Sequence, residues 1–175
     1  MTDRLCLKAC CPEDADFLFE RYAGNSDVSE FLQRNAHANI EQTENFIAEW
    51  GIGGWFSGDG KYAWSFFKEG VSGAFGLFMI NINNNRAEIH YGISREMWGK
   101  GYTTEAGVGV MEWIRNSSCV NYVFTICDVE HVASLRVLEK LGLQKTQLLR
   151  ERLFLPLKNC ESRDAYLCEW KREDH

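Results

Sequence analysis

The sequence has little proline, no excess of basic charge and no long apolar run. Proline occurs only 2 times in 175 residues, so no proline-rich linker divides the chain. The length of the chain suits a single domain spanning residues 1–175. The net charge of −6 argues against the clustered basic surface that nucleic-acid binding needs. This charge predicts no nucleic-acid partner. Because 45% of the residues are apolar, we expect a folded domain with a sizeable core.

The cysteines lack the spacing of a metal site or a disulfide framework. No two of them form Cys-x-x-Cys, and no His-x-x-x-His pair is present to complete a zinc site. The N-terminal residues contain no apolar stretch that would suit a signal peptide or a membrane span. We therefore expect reduced thiols in a cytoplasmic protein that binds neither metal nor membrane. The 7 cysteines are Cys6, Cys10, Cys11, Cys119, Cys127, Cys160 and Cys168.

Hydrophobic periodicity predicts a mixed α/β domain, with a mostly antiparallel sheet of about seven strands flanked by helices. The break at 83–85 contains three asparagines and is predicted to be a hairpin turn, since asparagine tolerates positive φ. Strands are predicted at 4–9, 62–68, 73–82, 86–93, 122–127, 145–155 and 163–170. Helices are predicted from Pro12 onward and at 26–32, 40–50, 102–116 and 132–141, with a glycine-rich loop at 51–60.

Two closely spaced glycines, Gly99 and Gly101, stand between a predicted strand and a predicted helix. Such a turn lets the backbone approach a ligand and presents unpaired N–H groups to a phosphate, although the same turn can simply begin a helix. A P-loop would need glycine in place of Ser94 and serine or threonine in place of Gly101, so this motif is absent. A dinucleotide fingerprint would need glycine at Thr104 and a second nucleotide-binding half, for which too few residues follow.

The segment around these glycines resembles the pyrophosphate-binding motif of the GNAT superfamily of acyl-CoA N-acyltransferases. That motif reads Gln/Arg-x-x-Gly-x-Gly/Ala, and here Trp98, Gly101 and Thr103 take its first, fourth and sixth places. Residues 132–142 are similar to the family's Asn-x-x-Ser-x-x-x-x-Glu-Lys-x-Gly-Phe helix, with His131 in the place of asparagine. Together they resemble the branch that contains ribosomal-protein N-terminal acetyltransferases and their small-amine relatives.

The resemblance implies acetyl-CoA as co-substrate and a set of residues that bind it. The pantetheine arm would pair with the backbone of the fourth strand, and the pyrophosphate would contact the N–H groups of residues 99–103. Lys100 would be a counter-charge for the phosphates or, equally, a solvated lysine. The residues implied in cofactor binding are Tyr91, Gly92, Ile93, Trp98, Gly99, Lys100, Gly101, Tyr102, Thr103 and His131.

Two further residues are implied in catalysis, because amine acylation needs a base for the amine and a proton for the leaving thiolate. Glu88 is the candidate base, with a structural or substrate-orienting role as the equal alternative. His90 lies two residues further along the strand, on the same face, and could share this role with its near-neutral pKa, although a lone histidine on a strand is more often a hydrogen-bonded packing residue. Ser134 is the candidate proton donor, although a serine near a helix start is also at home as a cap.

The resemblance thus implies transfer of an acetyl group from acetyl-CoA to a primary amine through a ternary complex, by a monomer or homodimer. The acceptor would be a protein N-terminus or a small amine such as a polyamine or an antibiotic. The acidic net charge suits a cationic acceptor. The alternative is a non-catalytic acyl-CoA-binding or regulatory domain, which the departures at Thr103 and His131 keep open.

Overall fold

A computed structural model describes residues 2–51, 55, 60–117, 119–158 and 161–172 of the chain. The strands in these residues are β1 (Cys6–Ala9), β2 (Lys61–Phe67), β3 (Gly76–Asn83), β4 (Arg86–Ile93), β5 (Tyr122–Asp128), β6 (Gln144–Phe154) and β7 (Ser162–Lys171). The α-helices are α1 (Ala15–Leu18), α2 (Ser26–Ser29), α3 (Ile40–Trp50), α4 (Tyr102–Asn116) and α5 (Val132–Lys140). Short 3₁₀ turns cover Pro12–Asp14 and Arg95–Met97, and a π-helical turn covers Phe19–Ala23.

The predicted bounds differ most from the structure in the first half of the chain. The first strand begins at Cys6 rather than at residue 4, because the backbone N–H of Arg4 donates to the Glu105 carboxylate instead. The helix predicted from Pro12 is divided into a 3₁₀ turn, α1 and a π-helical turn, and α2 ends at Ser29 rather than at 32. The third strand begins at 76 rather than 73, and most of the predicted loop at 51–60 lies outside the described residues.

The strands form one seven-stranded sheet in the order β1-β2-β3-β4-β5-β7-β6. Every neighbouring pair is antiparallel except β4 and β5, which confirms the predicted mixed, mostly antiparallel sheet. The β3–β4 hairpin turns through Asn84 and Asn85, whose φ angles of 48° and 63° are left-handed, as the sequence predicts. The parallel β4–β5 pairing covers only three residue pairs, from Arg86↔Tyr122 to Glu88↔Phe124. Beyond Glu88 the two strands diverge, and both contribute residues to a cleft.

Helices cover both faces of the sheet. The helices α4 and α5 pack on one face against a core that includes Phe78, Ile80 and Ile89, while α1 and α3 pack on the other against Leu77 and Met79. Successive residues of a strand point to opposite faces, so Tyr91 shares the α5 side and His90 shares the α3 side. Among the described residues, no helix combines the length and apolar character needed to cross a membrane.

Candidate active site

A cleft of about 860 Å³ opens where β4 and β5 diverge, a size in the range of small-molecule sites. Because the opening interrupts the sheet itself, side chains from both faces line it. Tyr91 and Ser134 belong to the α5 face, and His90 and Trp50 to the α3 face. The cleft therefore connects the two sides of the sheet, so a ligand bound on one side can react with a ligand that enters from the other.

The predicted glycine turn forms one end of this cleft. Gly99 and Gly101 have φ angles of 74° and 79°, in the left-handed region that favours glycine, and Gly101 is the N-cap of α4. A Cβ atom at Gly99 would meet no atom within 4 Å, and one at Gly101 only the Arg4 side chain at 3.6 Å. The backbone here faces open space at the N-terminus of a 15-residue helix, an arrangement that fits a phosphate group.

The N-terminal segment holds this turn from behind. The Glu105 carboxylate accepts hydrogen bonds from the Thr2 hydroxyl (2.6 Å), the Arg4 backbone N–H (2.7 Å) and Arg4 Nε (2.6 Å). Arg4 Nη1 in turn donates to the carbonyl oxygen of Lys100 at 3.2 Å. Partial burial raises the pKa of Glu105, but the bonds from Thr2 and Arg4 outweigh it and hold the pKa below its usual range. Glu105 therefore fixes the glycine turn to the segment before β1, and it is not part of the cleft wall formed by the described residues.

The remaining residues of the predicted cradle divide into two groups. Trp98 lines the cleft and its Nε1 donates to the Ile93 carbonyl oxygen at 3.0 Å, which ties the turn to the end of β4. Tyr102 and Thr103, in the first turn of α4, also line the cleft. Lys100 is not part of the cleft wall formed by the described residues, although its neighbours on both sides are.

Tyr91 and Ser134 meet inside the cleft, on the α5 face. The Tyr91 hydroxyl lies 2.9 Å from Ser134 Oγ and donates to the Ser134 carbonyl oxygen at 3.1 Å. Burial raises the pKa of Tyr91, so its phenol stays protonated at neutral pH. Burial likewise raises the pKa of the neighbouring Cys127 thiol to about 11, although Ser134 opposes this shift. The Ser134 hydroxyl is thus surrounded by proton donors, none of which is ionised at neutral pH.

Glu88 and His90 are neighbours on the α3 face of β4, but of the two only His90 belongs to the described cleft wall. His90 lines the cleft, where its ring meets the Trp50 ring edge-on with centroids 6.0 Å apart. Glu88 is outside the described cleft wall, at the last paired residue before the strands diverge, and its Oε1 lies 3.6 Å from His90 Nε2. Removal from water lowers the pKa of His90, and the Glu88 carboxylate opposes this shift. His90 is therefore neutral at neutral pH and can accept a proton from a ligand in the cleft.

His131, predicted to contact the cofactor, lies in the cleft wall and packs on Phe31. The two rings are stacked with centroids 4.1 Å apart, and the His131 side chain makes no capping hydrogen bond to α5. Burial lowers the pKa of His131, an effect that Asp128 and Glu30 oppose. The ring thus joins α5 to the segment after α2 as an apolar contact.

Several residues of the cleft wall are not among those that the resemblance implies in binding or catalysis, although one of them, Lys140, matches the lysine of the family's helix motif. Tyr22 lies against β4 so closely that a Cβ atom at Gly92 would come within 2.0 Å of its ring. Arg34 lines the cleft on the same face, and Arg136 and Lys140, one turn apart on α5, line it on the opposite face. Their spacing in the sequence is ordinary, and only the fold brings them to one cavity.

Comparison with known proteins identifies the family to which the chain belongs. Residues 4–144 match the model of the GNAT acetyltransferase domain, which is most of the chain. The chain belongs to the GNAT family of acetyltransferases. It is also 30% identical over 152 residues to p20 of Bacillus licheniformis, an uncharacterized N-acetyltransferase, covering 86% of this chain and 84% of p20. The resemblance in the glycine turn and in α5 is thereby confirmed at the level of the family, and the protein is an acetyltransferase.

Solved GNAT structures share this fold over nearly their whole length. The ribosomal-protein-S5-alanine acetyltransferase from Vibrio fischeri superposes with a TM-score of 0.86 at 15% identity, covering 99% of this chain and 96% of that one. The spermidine N-acetyltransferase from Vibrio cholerae, in complex with CoA and spermine, superposes with a TM-score of 0.81 at 16% identity, covering 97% and 96%. At these identities the likeness shows the GNAT fold.

Proposed function

We propose that this GNAT enzyme transfers an acetyl group directly from acetyl-CoA to a primary amine, with both substrates bound in the cleft. The observation that carries the proposal is the cleft itself. Its wall contains a glycine turn suited to phosphate and the Tyr91–Ser134 pair on the α5 side of the sheet, and His90 on the α3 side. Acetyl transfer needs these three functions at one place.

Acetyl-CoA would be held by the residues that the family motif predicts. The N–H groups at the start of α4, near Gly99, Gly101 and Thr103, suit the pyrophosphate, and the backbone of β4 at 91–93 is free of β5 and suits the pantetheine arm. Arg136 and Lys140 add positive charge on the same face, where they form no ion pair with a described carboxylate. Bound acetyl-CoA supplies the thioester that is attacked.

The amine proton is taken on the α3 face. His90 is the group of the Glu88–His90 pair that faces the cleft, so we propose His90 as the residue that receives the proton. Glu88, 3.6 Å behind it, is then a positioning residue that stabilises the imidazolium as it forms. Glu88 and His90 both keep a role in the reaction, but His90 rather than Glu88 is the proposed base.

The leaving thiolate receives its proton on the α5 face. Ser134 Oγ is the proposed donor, the Tyr91 hydroxyl at 2.9 Å can pass its proton on to the serine, and a proton from the solvent that reaches the open cleft then restores the tyrosine. The separation of base and acid on opposite faces of the sheet allows the amine and the thiolate to be served by different groups at the same time.

The relatives support both acetyl-CoA and an amine as substrates. One fold neighbour is described in complex with CoA and spermine, and others are named for ribosomal proteins. The acceptor proposed here is correspondingly a protein N-terminus or a small amine. Cytoplasmic location and a monomeric or homodimeric state remain predictions.

A direct test combines ligand binding with turnover. Acetyl-CoA should raise the melting temperature, because a ligand at about 100 times its dissociation constant stabilises a protein by roughly 2.7 kcal/mol, whereas NADH at equal concentration should not. Acetyl-CoA with a panel of primary amines should then release free thiol. Equal shifts with both nucleotides would contradict the cofactor assignment. Binding without thiol release for any amine would favour a non-catalytic acyl-CoA-binding domain.

A further inference from the structure

Arg34 is a cation in the wall of the cleft, and none of the carboxylates that the structure describes is paired with it. Its Nη1 donates to the backbone carbonyl oxygens of Asn35 (2.9 Å) and Ala23 (3.3 Å), which fixes the plane of the guanidinium. Nη2 is buried and has no hydrogen-bond partner among the described residues. No described carboxylate forms an ion pair with Arg34. The side chain is therefore held in place while its charge remains uncompensated.

The acidic residues of the cleft wall, unlike Arg34, are paired with residues of opposite charge. Asp27 is paired with Arg95, and Glu30 with Lys158 at 3.3 Å. Asp128 and Glu130 both pair with Arg163. Arg136 and Lys140, which pair with no carboxylate in the described ranges, lie on α5, on the side of the glycine turn. Within the described part of the cleft wall, the uncompensated charge on the α3 face is thus the positive charge of Arg34.

Arg34 lies close to the place where the amine must react. Its guanidinium carbon is 5.7 Å from the centroid of the Tyr22 ring, and that ring packs directly on Gly92. Gly92 is two residues from His90 on the same face of β4, and Arg34 and His90 line one cavity. A small amine that reaches His90 therefore has Arg34 within the same part of the cleft.

We propose that Arg34 binds an anionic group, a carboxylate or a phosphate, that the acceptor carries besides its amine. This inference rests on the proposed function and narrows its acceptor class. A planar guanidinium binds such anions with strong charge-assisted hydrogen bonds, and a fixed one loses little entropy in doing so. The same unpaired charge, in a wall with Trp50 and Phe46, opposes a polycation. The positive charge in the cleft thus predicts an acceptor with an anionic group, whereas the net charge of −6 suits a cationic acceptor.

The test compares acceptors that differ only in the distal group. Thiol release from acetyl-CoA is measured with 4-aminobutyrate, butylamine and putrescine, and with phosphoethanolamine and ethanolamine. The wild-type enzyme should favour the anionic member of each set in kcat/KM by about tenfold or more over the neutral amine. Preference within the first set alone identifies a carboxylate, and within the second alone a phosphate.

Variants of Arg34 assign the preference to this residue. Arg34→Gln should bring the ratio of anionic to neutral acceptor close to one, mainly by raising KM for the anionic amine, and leave the neutral amine within about twofold. Arg34→Lys keeps the charge without the planar fork and should retain part of the preference. Arg150→Gln, which removes an exposed arginine paired with Asp164, is the matched control and should retain all of it. A melting curve for each variant reports whether it folds. If Arg34→Gln does not fold, the ratio of anionic to neutral acceptor in kcat/KM for the wild-type enzyme and for Arg34→Lys still tests the role of Arg34.

The outcomes separate this inference from the proposed function. Acetylation of neutral amines or putrescine as well as or better than the anionic amines overturns the role of Arg34 and leaves the acetyltransferase intact. An anionic preference that persists in Arg34→Gln also overturns it. A panel of peptides with free N-termini is assayed beside the small amines, and thiol release with the peptides alone overturns the inference and leaves the acetyltransferase intact. Thiol release with none of the small amines and none of the peptides, although acetyl-CoA binds, overturns the proposed function and this inference together.

Discussion

Replacing His90 with glutamine is expected to lower kcat by about 10²–10⁴, with little change in the affinity for CoA. Glutamine keeps much of the size and hydrogen-bonding reach of the imidazole but cannot accept the amine proton, so the loss belongs to proton transfer. The deficit should shrink as the pH rises toward the pKa of the amine, where the free base no longer has to be generated on the enzyme. Pre-steady-state or steady-state kinetics over a pH series measures both effects.

Glu88→Gln separates a positioning residue from a base. The Glu88 carboxylate raises the pKa of His90 against the lowering caused by burial. Removing it should therefore lower the pKa of His90 further, and the acid limb of the kcat/KM profile should move to lower pH. We expect a loss of about tenfold in kcat, smaller than for His90→Gln. A larger loss for Glu88→Gln than for His90→Gln would instead make Glu88 the base, as the sequence alone suggested.

Ser134→Ala provides the contrast within the same reaction. Its loss in kcat should not be rescued at high pH, because the leaving thiolate still lacks its donor. Tyr91→Phe removes the hydroxyl 2.9 Å from Ser134 Oγ and should produce a milder form of the same profile if the two hydroxyls act in series. Identical pH profiles for His90→Gln and Ser134→Ala would contradict the assignment of base and acid to opposite faces of the sheet.

The features that the sequence predicted well are those in which local residues determine local conformation. The asparagines at 84 and 85 adopt positive φ as a hairpin requires, and Gly99 and Gly101 do the same before α4. Residue types that tolerate left-handed backbone mark such turns without any knowledge of the fold. Alternating and helical periodicity likewise predicted the strand and helix order, because burial on one face imposes it.

The features that the sequence did not predict depend on contacts between distant segments. Tyr91 was expected to contribute backbone alone, yet its hydroxyl meets Ser134 on another element. The Glu105 carboxylate, in the first turn of α4, receives three hydrogen bonds from Thr2 and Arg4, which are about a hundred residues away in the sequence. Arg34 lies in a segment without periodicity, so no pattern indicated that its charge would be left unpaired in the cleft. Strand divergence after Glu88 decides which of these residues face a ligand, and it is a property of the sheet as a whole.

Gly101→Val is expected to raise the dissociation constant of CoA about a hundredfold or more. Gly101 has a φ of 79°, which a β-branched residue strongly disfavours, so the turn must change its shape and the N–H groups at the start of α4 must move. Hydrogen bonds to charged groups contribute about 1.5–3 kcal/mol each, and the loss of 2.7 kcal/mol corresponds to about a hundredfold in affinity. Calorimetric titration with CoA measures the change directly.

The control for backbone strain is Gly70→Val, in the turn between β2 and β3. Gly70 has nearly the same φ, 75°, and a Cβ atom there would also meet nothing within 4 Å, but this residue lies outside the cleft. Both valine variants should lose stability through the same conformational cost, and only Gly101→Val should lose CoA. Wild-type affinity in both variants would place the pyrophosphate elsewhere. Equal loss in both would mean that CoA binding reports the stability of the domain rather than the shape of the glycine turn, so the comparison of the two affinities decides what this turn does.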